Sequence, residues 1–115
     1  MKTQTQIPVA SYKASGFIKK YQNIVHDTVI PYQRSVLWDN AEGAEKSHVV
    51  ANFINAAKAL KSEDVEDGFY GMVFQDSDAY KWLEAVAYAI ANEADSALEK
   101  QADELIDLIA AAQDE

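Results

Sequence analysis

Apolar residues recur at helical spacing in four stretches of this chain, separated by short or glycine-punctuated gaps. In the first, Phe17, Ile18, Tyr21, Ile24, Val25, Thr28 and Val29 share one stripe, predicting a helix from about Ser15 to Ile30 with Ser15 as its N-cap. Pro31 lacks an N–H and disfavours helical geometry at Ile30, so the helix is expected to end or kink there. Tyr32, Val36 and Leu37 then suggest two further turns. Asp39 to Gly43 reads as a loop. A second helix is expected from about Ser47 to Lys61, with Val49, Val50, Phe53, Ile54, Ala57 and Leu60 on one face. The third spans about Ser77 or Asp78 to Asn92, its stripe formed by Ala79, Trp82, Leu83, Val86, Ala87 and Ile90. The fourth opens on Ser96-Ala97-Leu98-Glu99, which has the form of a capping box, and carries Leu98, Ala102, Leu105, Ile106 and Ile109 inward. Glu93 to Asp95 is so short a link that the last two helices are expected to form an antiparallel hairpin.

Residues 62–77 break the pattern. An acidic stretch leads into Gly68-Phe69-Tyr70-Gly71-Met72-Val73-Phe74, which is apolar without helical period. It reads as an ordered loop with room for a short extended piece, and a loop of this composition has to be covered by something. The expected fold class is all-α, with residues 1–14 forming a flexible or extended N-terminal segment and 15–115 a helical unit.

Charge and composition narrow the functional classes. The net charge of −9 argues against nucleic acid and against anionic membranes as partners. The acidity is concentrated: eight carboxylates fall between Glu93 and Glu115 against one base, Lys100. A run of this kind is ordinarily the solvated face of a helix. The absence of cysteine removes disulfides, thiolate nucleophiles and zinc–thiolate sites from this sequence. Lys2 is not followed by an apolar signal region and no stretch is long enough to span a bilayer, so the expectation is a soluble cytoplasmic chain.

Local candidates for chemistry are few. Asp76 and Asp78 form the most suggestive carboxylate pair, because glycoside hydrolysis uses two such groups. At a helix start, capping free N–H groups is the commoner role. Glu66 and Asp67 are a second pair of the same kind. His26 and His48 lack a partner at metal-binding spacing, and His48 beside Ser47 suits a structural hydrogen bond. Trp38, Tyr70, Phe74 and Trp82 offer aromatic faces for a sugar. Trp82 lies on its helix stripe and reads as core, whereas Tyr70 and Phe74 occupy the irregular loop, where binding and packing are equally open.

Beyond these, Gly71-Met72-Val73-Phe74-Gln75-Asp76-Ser77-Asp78 followed by Tyr80-Lys81-Trp82-Leu83-Glu84-Ala85 resembles the N-terminal hallmark of the glycoside hydrolase family 127 β-L-arabinofuranosidases. Val29-Ile30-Pro31-Tyr32-Gln33, Lys46-Ser47-His48 with Asn52, and Leu105-Ile106-Asp107-Leu108-Ile109 with Ala112-Gln113 resemble further family segments in the expected order. The resemblance implies that the helices are antiparallel and form the first part of an (α/α)6 barrel. It also implies retaining hydrolysis of terminal β-L-arabinofuranosyl groups. The family's cysteine nucleophile, its acid/base glutamate and its zinc, held by cysteines and a glutamate, would lie outside this chain. No catalytic residue, metal ligand or cofactor is therefore expected within it. Carried over by position, Phe74 would form part of the sugar-pocket wall, with Gln75 and Asp76 on the same rim. Phe17-Ile18 departs from the family's Phe-Trp.

Two readings follow. An N-terminal part of such an enzyme would be inactive alone, would meet carbohydrate only within the full barrel, and would leave apolar helix faces uncovered and prone to self-association. A stand-alone helical interaction module would instead close a small bundle around its own core. A complete enzyme within this length would have to rely on Asp76 with Asp78, or Glu66 with Asp67.

Overall fold

The computed structural model describes residues 5–65 and 68–114, so Glu66 and Asp67 fall outside the described residues. Among these, all regular structure is helical: α1 (Gly16–Ile24), a π-helical turn (Val25–Val29), α2 (Ile30–Leu37), α3 (Val49–Leu60), α4 (Ser77–Asn92) and α5 (Ser96–Ala111). A single 3-10 turn, Val9–Ser11, precedes them and packs on α4.

The end or kink expected at Pro31 takes the form of a π turn just before it, and the chain stays helical through Leu37. Pro31 has no N–H for the Asp27 carbonyl and its ring crowds that oxygen. Widening the preceding turn relieves the crowding, and Ile30 donates its N–H to the Val25 carbonyl, five residues back. Ile30 itself stays helical at φ −60°, ψ −49° despite the proline after it. Thus α1, the π turn and α2 form one rod about 33 Å long.

Two caps differ from expectation. Ser15 sits at the N-cap of α1, but its side chain makes no capping bond. Helix α5 is capped by Asp95, not by a Ser96–Glu99 box: one Asp95 carboxylate oxygen accepts from the N–H groups of Ala97 and Leu98, each at 3.0 Å. A carboxylate one residue earlier is a charged acceptor facing the positive end of the helix, and it takes the position.

The core is centred on α4. Trp82, 2% exposed, donates its indole N–H to the Ile30 carbonyl at 3.0 Å, giving the buried ring the partner it needs. Trp38 meets Trp82 edge-on at 6.0 Å, and the Arg34 guanidinium covers Trp38 at 4.4 Å while bonding Glu104 of α5 at 2.8 Å. Leu37, Val49, Val50, Val86, Leu98 and Leu105 complete the buried layer. The four-helix periodicity is confirmed here, but several predicted core positions are not buried: Ile54, Ala87 and Ile106 are exposed, as is the entire first stripe from Phe17 to Val29.

These helices do not close on themselves. The radius of gyration is 17.1 Å, against about 13 Å for a compact domain of this length. The chain exposes 8749 Å², whereas a closed domain of its mass exposes about 6,200 Å². At 51 × 44 × 26 Å it is a slab with one filled layer and open apolar faces.

Candidate functional site

The junction before α3 is organised by Asp39, a residue that loop composition alone did not distinguish. Asp39 adopts a left-handed conformation (φ 58°), which Asp tolerates better than most residues. One of its carboxylate oxygens accepts from the backbone N–H of Ser47 at 2.6 Å and of His48 at 3.0 Å. The Ser47 hydroxyl donates to the Val36 carbonyl at 2.9 Å, tying the junction to α2. His48 is also left-handed (φ 58°) and serves as the N-cap residue of α3. Its ring lies against Tyr70 at 4.2 Å, which carries the junction to the apolar loop.

That loop is pinned at two further places. Asn52 of α3 pairs with Tyr70 in the manner of a neighbouring strand: its Nδ2 donates to the Tyr70 carbonyl at 2.8 Å and its Oδ1 accepts from the Tyr70 N–H at 3.1 Å. The Gln75 side chain turns inward, accepting from the Met72 N–H at 3.0 Å and donating through Nε2 to the Ser47 carbonyl. Gly71 makes this possible. Its φ is +104°, and a Cβ there would land on the Gln75 amide. Successive tight turns, Met72 C=O to Gln75 N–H and Phe74 C=O to Ser77 N–H, both 3.0 Å, feed the chain into α4. With its backbone fastened, the loop holds its large side chains outward: Val73 is 93% exposed, Phe74 65%, and Phe69 and Met72 are similarly open.

The sequence candidates separate accordingly. Phe74 stands on the outer surface of the loop, Gln75 points into the scaffold, and Asp76 lies at the edge of a cavity of about 340 Å³ between α3, α4 and the end of α5. Neither aspartate caps α4 through its side chain, contrary to expectation. The Asp76 carboxylate accepts from Tyr80, and Asp78 pairs with Lys81 at 3.0 Å. Partial burial first, then the nearby Asp76 charge and its hydrogen bond, raise the Tyr80 pKa above its ordinary 10.0. Trp82 belongs to the core and half-buried Trp38 packs against it, so neither forms an open sugar platform. His26 lies apart, in the π turn, with Nδ1 2.8 Å from Asp27 and Nε2 3.4 Å from Asp95. Among the described residues no group of three side chains is placed to hold a metal ion.

The sequence profile of the β-L-arabinofuranosidase GH127 catalytic domain matches residues 13–115. The chain belongs to glycoside hydrolase family 127. It is 43% identical over 111 residues to the non-reducing end β-L-arabinofuranosidase of Bifidobacterium longum subsp. longum, an alignment covering 86% of this chain and 16% of that enzyme. It is similar, at 48% identity and a TM-score of 0.78, to the crystal structure of a GH127 β-L-arabinofuranosidase from Geobacillus stearothermophilus T6, over 88% of this chain and 15% of that one. The chain thus spans about one-sixth of the length of these relatives. Its GH127 helices correspond to part of an (α/α)6 barrel, which accounts for a layer that does not close. The GH127 hallmark from Gly71 to Ala85 is the stretch that builds the pinned loop and drives Trp82 into the core.

Proposed function

We propose that this chain is the amino-terminal part of a retaining GH127 glycosidase that removes terminal β-L-arabinofuranosyl groups, with bond cleavage carried out by residues elsewhere in the enzyme. The observation supporting a sugar-facing role within this segment is the loop before α4. Its backbone is fastened through Asn52 and Gln75, yet Phe74 remains 65% exposed. An apolar ring held outward on a rigid loop suits the wall of a pocket completed by other polypeptide. In this reading Phe74 meets the sugar, Gln75 holds the loop at its working position, and Asp76 sits on the rim beside Tyr80.

The zinc that the family resemblance implies does not fit the residues present. Its ligands would include cysteines, this sequence has none, and the described residues contain no alternative group of three donors. Carbohydrate is the expected partner of the assembled enzyme. The stand-alone module is the weaker reading, because it calls for a closed bundle and the radius of gyration of 17.1 Å is that of an open layer.

A hybrid enzyme tests the proposal. This chain replaces the matching segment of the Geobacillus enzyme, and hydrolysis of 4-nitrophenyl β-L-arabinofuranoside is followed. The hybrid should turn over substrate and the isolated chain should not. Phe74→Ala in the hybrid should lower kcat/KM by about 10- to 200-fold, the range for lost apolar pocket contact. A folded but inactive hybrid, or hydrolysis by the isolated chain, would contradict it.

A further inference from the structure

Two non-glycine residues hold left-handed backbone at either end of the link into α3: Asp39 and His48, both at φ 58°. Such conformations persist only where surrounding bonds fix them, and they gather at binding sites. One carboxylate supplies those bonds. Asp39 Oδ1 accepts from the Ser47 and His48 N–H groups and lies 3.3 Å from the Ser47 hydroxyl. The Asp39 side chain is only 17% exposed, so the bonds are partly sheltered from water. Both N–H groups precede Val49, the first residue of α3. What Asp39 orients is the pair of residues that grip the apolar loop. The Ser47 carbonyl accepts from the Gln75 side chain, whose Oε1 takes the Met72 N–H at 3.0 Å. The His48 ring meets Tyr70 at 4.2 Å. The remaining clamp, Asn52 on Tyr70, springs from the first turn of α3, where Asn52 donates its own N–H to the His48 carbonyl at 2.8 Å. Each of these holds on the loop traces back to a residue that Asp39 fixes.

We infer that Asp39 is a positioning residue for substrate binding: by fixing Ser47 and His48 it sets where the loop presents Phe74. The inference rests on the reading of that loop as a pocket wall and adds the residue that governs its position. Asp39 does not meet the sugar; it acts through Ser47, His48 and Gln75. Without its carboxylate the loop samples other positions, and only the fraction in the right place binds. Apparent affinity then falls by that fraction, while bound substrate reacts as before. Asparagine can serve in its place, because its Oδ1 accepts the same N–H bonds and it tolerates left-handed backbone. The second Asp39 oxygen stands 4.0 Å from the His48 ring, which leaves room for an amide NH₂. Glycine keeps the backbone conformation and loses the acceptor.

Asp39→Gly and Asp39→Asn separate this role from general stability. In the hybrid enzyme, Asp39→Gly should raise KM about tenfold and leave kcat within about twofold, and Asp39→Asn should restore KM. Hydrogen exchange on this chain by itself reads the loop without any sugar. In Asp39→Gly the Tyr70 and Met72 amides should lose protection, while those around Trp82 and Val86 keep it. Unchanged loop protection, a matching loss around Trp82, or no rescue by asparagine would overturn the inference. Loop protection lost with KM unmoved would overturn the pocket-wall reading and the inference with it, since the loop would then move without consequence for the sugar.

Discussion

Helices α1 and α4 present similar apolar stripes and meet opposite fates. In α4 the stripe is enclosed by α2, α3 and α5, and Ala79, Trp82 and Val86 are almost wholly buried. In α1 the equivalent positions face solvent, and the polar side faces the rest of the chain. Periodicity specifies which residues share a face. What covers that face is decided by the remaining polypeptide, and a segment one-sixth the length of its relatives can fill only some of its faces.

The contrast should be visible in mutational cost. Trp82→Ala removes the largest enclosed side chain and leaves the Ile30 carbonyl without its donor, so urea unfolding should show a loss of about 3–5 kcal/mol. Gly71→Ala forces a side chain into φ +104° and onto the Gln75 amide, with an expected loss of about 1–3 kcal/mol. The same substitution should cost less in a Gln75→Ala background, because the clash is then gone and only backbone strain remains. Phe74→Ala should change stability by no more than about 0.5 kcal/mol, since its ring is already in solvent. A loss several times larger would mean that the ring is packed, and the pocket-wall role would fall. The smallest effect concerns pH. Tyr80 holds its proton more tightly folded than unfolded, so its contribution is present below about pH 10 and is lost as pH rises through the raised value. Tyr80→Phe should flatten that alkaline part of the stability profile.

Much of this architecture was legible because helices announce themselves by spacing. The limits of α4, the start of α5 and the short hairpin between them follow from stripe and link length, and Trp82 could be placed in the core from its position alone. The misses share a cause: they depend on contacts distant in sequence or on geometry that composition does not encode. Pro31 signals an end or a kink, and the sequence does not say that a π turn absorbs it with Ile30 buried in the core. Asp95 displaced Ser96 as the cap because a carboxylate is the stronger acceptor. Asp39 reads as loop until Ser47 and His48 fold back onto it. At the site, the ordered loop follows from its composition, whereas the sequence left Phe74 open between packing and exposure. The inward turn of Gln75 was not legible, because its partner, the Ser47 carbonyl, is 28 residues away.

Native-state hydrogen exchange on the isolated chain and on the hybrid enzyme compares the two helices most directly. If α4 owes its order to its own chain and α1 to the remaining polypeptide, amides around Trp82 and Val86 should be protected in both. Those from Phe17 to Ile24 should exchange freely in the isolated chain and become protected in the hybrid. Protection of α1 equal to that of α4 in the isolated chain would contradict the account, because a helix with its apolar face in water would then be stable without a cover.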